Sequence, residues 1–172
     1  AILDANASGI ANRIFLPNGS LHRLTIGNLP IVTGTGVGGT LQIICTGSQN
    51  AIIDGARVPS TSGFRPITMD PNSNLTLSNI TIQNGFVANG NGGGIYNNNG
   101  NLTIVNSLIT ANEATGGFIL HGRGGGVFTT GARGTASLRI QNSTISLNSA
   151  SNLGGGICNY EVPNTNISDS FI

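Results

Sequence analysis

The chain has 172 residues, a formal net charge of +1, only 8% charged side chains and 27 glycines. It contains no lysine and no tryptophan, and its scattered arginines (Arg13, Arg57 and Arg139 among them) form no cationic cluster, which excludes the electrostatic footprint of a nucleic-acid binder. No apolar run reaches the roughly 20 residues of a membrane-spanning helix, and the shortage of good helix formers leaves strands and turns as the building material.

In chain order, residues 1–50 read as irregular N-terminal coils and residues 51–172 as regular repeats of one domain. "LQIICTGSQNAIIDG" and "FRPITMDPNSN" are short strands broken by turns at Asp54-Gly55 and Asp70-Pro71. From Asn74 the chain repeats itself: "NLTLSNITIQN", then "NLTIVNSLITAN" from Asn101, then "SLRIQNSTISLN" from Ser137. Each copy is followed by a glycine triplet, Gly92-Gly93-Gly94, Gly124-Gly125-Gly126 and Gly154-Gly155-Gly156, and then by an aliphatic residue, Ile95, Val127 or Ile157. The pattern begins once more in "TNISDSFI", which puts Ile167 in the column of Ile104 and Ile140, and Ile172 in that of Ile145.

Period-two aliphatic alternation means strands with one buried face. Recurrence at a fixed order means a solenoid of stacked coils rather than a sandwich. The expected fold is therefore all-β, a right-handed parallel β-helix with three sheets and about six coils, the first of them irregular. Asn79, Asn106 and Asn142, with Asp169 in the same column, are expected to stack inside a dry bend and pass amide hydrogen bonds between coils. The triplets should make the sharp turns, since glycine accepts positive φ and close packing. Because the repeat breaks off partway through a coil, the functional object is expected to be longer, as one continuous chain or as subunits joined end to end.

Chemistry-bearing residues are few. Asp54 and Asp70 sit in turns where a carboxylate caps local backbone. The loop "EATGGFILHGRGGG" gathers the best available catalytic set, Glu113, His121 and Arg123, without the second carboxylate that glycoside hydrolysis uses. The same loop carries an apolar run, Phe118-Ile119-Leu120, which is either an interaction patch or a cover for the solenoid's flank. Cys45 and Cys158 are too distant in the coil order to bond to each other. Sequons such as those at Asn101 and Asn142 follow from composition. No cofactor or metal site is expected.

The texture "GGGIYN…LTIVNSLITANEA…GGGVF" resembles the bacterial surface and secreted proteins built on right-handed parallel β-helices of pectin-lyase-like architecture. It is also similar to the repeats of polymorphic outer-membrane adhesins. "AILDANAS" resembles the end of the CSLREA motif, with Ala1 and Ile2 as its last residues and Asn6 in the segment beyond. The resemblance implies an extracellular or cell-surface chain, without enzymatic activity, that acts as a structural, adhesive or filament-forming element. Its implied contacts are its own copies or continuation, glycans and host or cell surfaces. The wider architecture also includes polysaccharide lyases and hydrolases, so a carbohydrate-active enzyme is the alternative, and fold alone does not choose between them.

Overall fold

The computed structural model describes residues 12–33, 40–57, 63–117, 120–131 and 136–172. Among them there are strands and turns but no helix. The strands fall into four parallel sheets. The first is six-stranded: β1 (Asn12–Leu16), β3 (Thr40–Cys45), β6 (Asn74–Ser78), β10 (Asn101–Val105), β14 (Ser137–Gln141) and β18 (Asn164–Ser168). The second stacks β2 (Leu21–Arg23), β4 (Ala51–Asp54), β7 (Ile80–Gln83), β11 (Leu108–Thr110) and β15 (Thr144–Ser146). A short sheet holds β8 (Phe86–Ala88), β12 (Glu113–Thr115) and β16 (Ser149–Ala150), and the last holds β5 (Ile67–Met69), β9 (Ile95–Asn98), β13 (Val127–Thr130) and β17 (Ile157–Tyr160). The chain visits the sheets in that order, so it is a parallel β-solenoid of about five turns.

The repeat columns read from the sequence are the pairing registers of the fold. Leu75, Leu102 and Leu138 face one another across β6, β10 and β14, as do Leu77, Ile104 and Ile140. Ile82, Ile109 and Ile145 align in the second sheet, and Ile95, Val127 and Ile157 in the last. Most of these side chains are fully buried in one continuous core running up the middle of the coils. Ile167 pairs with Ile140 as expected.

Two expectations are corrected. The three-sheet plan misses the short sheet, whose strands contain few aliphatic residues to betray it. The asparagine column is not an interior ladder: Asn106, Asn142 and Asp169 are exposed, and Asn79 is half-buried. All four have positive φ, between 47° and 56°. They form the corner between the first and second sheets, where a single left-handed residue turns the chain. A side chain with a Cβ is strained there by roughly 1–2 kcal/mol, and Asn or Asp tolerates the conformation best. The recurring residue is thus favoured by its backbone conformation, and at Asn79 the amide also bonds between coils, its Nδ2 donating to Cys45 O at 2.7 Å.

The interior ladders lie in neighbouring columns. Ser107 Oγ accepts from the Ile80 N–H at 3.1 Å, Ser143 Oγ from the Ser107 N–H at 3.1 Å, and Ser170 Oγ from the Ser143 N–H at 3.2 Å. One column further round, Asn112 Oδ1 accepts from the Gly85 N–H at 2.8 Å, while Asn112 Nδ2 donates to Ile82 O and to Asn148 Oδ1. Asn148 repeats the pattern, its Oδ1 accepting from the Asn112 N–H and its Nδ2 donating to Ile109 O. Each amide therefore satisfies main-chain groups that the bend strips from the sheets.

Cys45 is buried in β3, and Cys158 lies in β17 of another sheet several coils away. Both thiols are free.

Candidate functional site

The glycine triplets build one wall of the solenoid's flank. Gly92, Gly124 and Gly154 have positive φ, between 63° and 68°. The next two glycines run main chain against main chain: the N–H groups of Gly93, Gly94 and Ile95 donate to Gly124, Gly125 and Gly126 in the coil above, and those of Gly125, Gly126 and Val127 to Gly154, Gly155 and Gly156. A Cβ on Gly94 would lie 2.8 Å from Gly126 O and 2.9 Å from Asn112 Cγ. The triplets are a stack of close backbone contacts, and the Gly92 and neighbouring Asn91 carbonyls serve as acceptors for a side chain on the flank.

Arg65 uses those acceptors. Its Nε donates to Gly92 O and its Nη2 to Asn91 O, both at 2.8 Å, and its guanidinium covers the Tyr96 ring at 5.1 Å. Burial lowers the pKa of Arg65, with the field of Tyr96 opposing. Tyr96 stacks on Phe128 of the next coil with centroids 5.5 Å apart and planes 12° from parallel. Arg65, Phe64, Gly63 and Asn28 border a cleft of about 380 Å³ whose other wall is β8, Phe86-Val87-Ala88.

Each member of the catalytic set has partners of its own. Glu113, on β12, is ion-paired with Arg57, whose guanidinium carbon also lies 6.0 Å from the Phe86 ring. The Arg123 guanidinium is turned to the following coil, 5.5 Å from the centre of the Tyr160 ring, while the Arg123 main-chain N–H donates to Asn91 Oδ1. His121 packs over Gly116 within the loop, and its carbonyl accepts from Asn152 Nδ2. Glu113 and Arg123 are thus committed to partners in different coils. Of the apolar run, Phe118 and Ile119 lie outside the described residues, and Leu120 is 65% exposed with its carbonyl held by Asn91 Nδ2.

Among the described residues no group of three or more His, Cys, Asp and Glu side chains could hold a metal ion, and no helix is long and apolar enough to cross a membrane. Arg57, Arg65 and the cleft were not legible in the sequence, because the two arginines belong to no repeating column; Tyr96 does, in register with Phe128 after the glycine triplets. Arginine two residues before the Ile67 strand is the only hint, since that strand opens the sheet on which Tyr96 lies. Comparison of the chain with protein families, with curated proteins and with solved structures returns no match.

Proposed function

We propose that the protein is a non-enzymatic β-solenoid of a cell surface or its surroundings, working as a structural, adhesive or filament-forming element. The observation that carries this reading is the in-register stack of the six-stranded sheet, continued on the inside by the Ser107–Ser143–Ser170 and Asn112–Asn148 ladders. Coils joined by main-chain and side-chain bonds at every level form a quasi-one-dimensional scaffold, which suits a stalk or spacer. The resemblance to surface β-helices supports the same reading.

The first and last described coils carry exposed apolar side chains. Phe15, Leu21 and Ile26 are exposed on one of them, and Ile167, Phe171 and Ile172 on the other. Continuing the registers would place Ile167 in the Ile14 column and Phe171 in the Leu21 column, whether the neighbour is a further coil or another copy. Of these, Ile167 continues the buried Ile104–Ile140 column and would contribute roughly 1.5–3 kcal/mol if fully buried, whereas the Leu21–Phe171 column faces outward.

The cleft beside Arg65 and Phe86, with the Arg57–Glu113 pair close by, favours the second reading, an enzyme acting on polysaccharides. Incubation with pectins, alginates and related glycans distinguishes the two. The scaffold reading predicts no new sugar ends, and none to lose in Glu113→Gln. Reproducible release of ends that disappears in Glu113→Gln would establish the enzyme instead.

A further inference from the structure

The chain is rich in asparagine-glycine steps: Asn18-Gly19, Asn84-Gly85, Asn89-Gly90, Asn91-Gly92 and Asn99-Gly100. Such steps are prone to deamidation because glycine has no Cβ to hinder its nitrogen. The glycine nitrogen adds to the asparagine Cγ, the side-chain nitrogen leaves as ammonia, and water opens the resulting five-membered imide to aspartate or isoaspartate. The reaction needs a glycine N–H that can leave its acceptor, a Cγ that can be attacked, and access for water.

The fold withholds these conditions at most of the steps. Gly85 is buried, its N–H donates to Asn112 Oδ1 at 2.8 Å, and Asn84 Nδ2 donates to Asp54. Gly100 is buried and its N–H donates to Asn97 Oδ1 at 2.9 Å. Gly92 is buried with its N–H on Arg123 O at 2.9 Å, so the attacking nitrogen is withheld even though the Arg123 main-chain N–H donates to Asn91 Oδ1, and Asn91 Nδ2 is held by Leu120 O. The Gly90 N–H donates to Thr115 O at 3.1 Å, and the Gly90 carbonyl accepts from Gly122.

Asn18-Gly19, in the turn between β1 and β2 with the Asn18 side chain packed against Gly47, differs in its exposure and in the length of its glycine hydrogen bond. Both residues are exposed, and the Gly19 N–H makes the longest of these bonds, 3.3 Å to Gln49 O. The Gln49 N–H donates to Asn18 Oδ1 at 2.9 Å. That bond polarises the carbonyl to be attacked and stabilises the oxyanion that forms on it, as an oxyanion-hole donor does. We propose that Asn18 is the site at which the folded protein deamidates, by attack of its own main chain. The product adds a negative charge to a chain whose formal net charge is +1. Its isoaspartyl form also lengthens the backbone just before Ser20, whose carbonyl accepts from the Ile52 N–H at 2.7 Å and so ties the turn to the next coil.

The test is to age the full chain in mildly alkaline buffer, folded and in urea, following ammonia release and mapping aspartate and isoaspartate by peptide mass spectrometry. In the folded protein the first equivalent of ammonia should come with conversion at Asn18. Conversion at Asn84, Asn91 and Asn99 should be suppressed at least about tenfold relative to urea, because their glycine N–H groups must first abandon a buried bond. Asn18→Gln should remove the first equivalent. Earlier conversion at any other step, or equal rates at all steps in the folded and unfolded chain, would overturn the proposal. The order of sites in the unaltered chain decides the matter even if the variant folds poorly.

Discussion

Asn106 and Asn112 flank β11 and look interchangeable in the sequence, yet their side chains have opposite roles. Asn106 is exposed at a corner with φ of 49°. Replacing it by leucine should cost only the strain of a left-handed non-glycine residue, about 1 kcal/mol. Asn112 is fully buried, and Asn112→Leu would orphan the Gly85 N–H and the Ile82 carbonyl. At about 1–3 kcal/mol for each unsatisfied buried group, the cost should exceed that of Asn106→Leu by at least about 1 kcal/mol. Denaturant titration of the two variants checks the order, and a reversed order contradicts the assignment of the ladders. Leu147 supplies an independent test, since it is 85% exposed at a left-handed corner with φ of 55°, where the preceding coils place Asn84 and Ala111. Leu147→Asn should raise stability by about 0.5–1 kcal/mol, seen as a later denaturant midpoint with an unchanged slope.

At the scale of elements, β4 ends in Asp54, which fastens the second corner. Burial alone would raise the pKa of its carboxyl. Hydrogen bonds from Gln83 Nε2, the Ala56 N–H and Asn84 Nδ2, with the field of Arg23, outweigh burial and hold it below the ordinary aspartate value. A depressed folded-state pKa contributes stability that is present above the unfolded value and lost as pH falls through the folded one. Thermal unfolding should therefore show an acid-side loss below the ordinary aspartate range that is weaker in Asp54→Asn. An identical acid limb in both proteins would contradict this role. The same elements show what could be read beforehand. The aliphatic strands of the first, second and last sheets were legible because each places a branched side chain in the core at every turn, as with Ile82, Ile109 and Ile145. The short sheet was not, since Phe86-Val87-Ala88, Glu113-Ala114-Thr115 and Ser149-Ala150 share no such column. The asparagine corners were located correctly but explained wrongly, because interior ladders and left-handed corners both select asparagine.

For the molecule as a whole, the recurrence of columns specified the stacking, while the flank site arose from side chains that meet once. Arg57 and Glu113 come from different coils and obey no repeat, so their pairing could not be read from the sequence. The central claim is that successive coils stack in register along one rigid axis. Gln42, Thr76, Thr103, Arg139 and Asn166 form a single outward column across β3, β6, β10, β14 and β18. Spin labels on cysteines replacing Gln42 and Asn166, with Cys45 and Cys158 substituted by alanine, measure the height of that stack by pulsed electron resonance. Four strand spacings of about 4.8 Å predict a narrow distribution near roughly 20 Å. A broad distribution, or a mean beyond about 30 Å, would contradict the stacked solenoid.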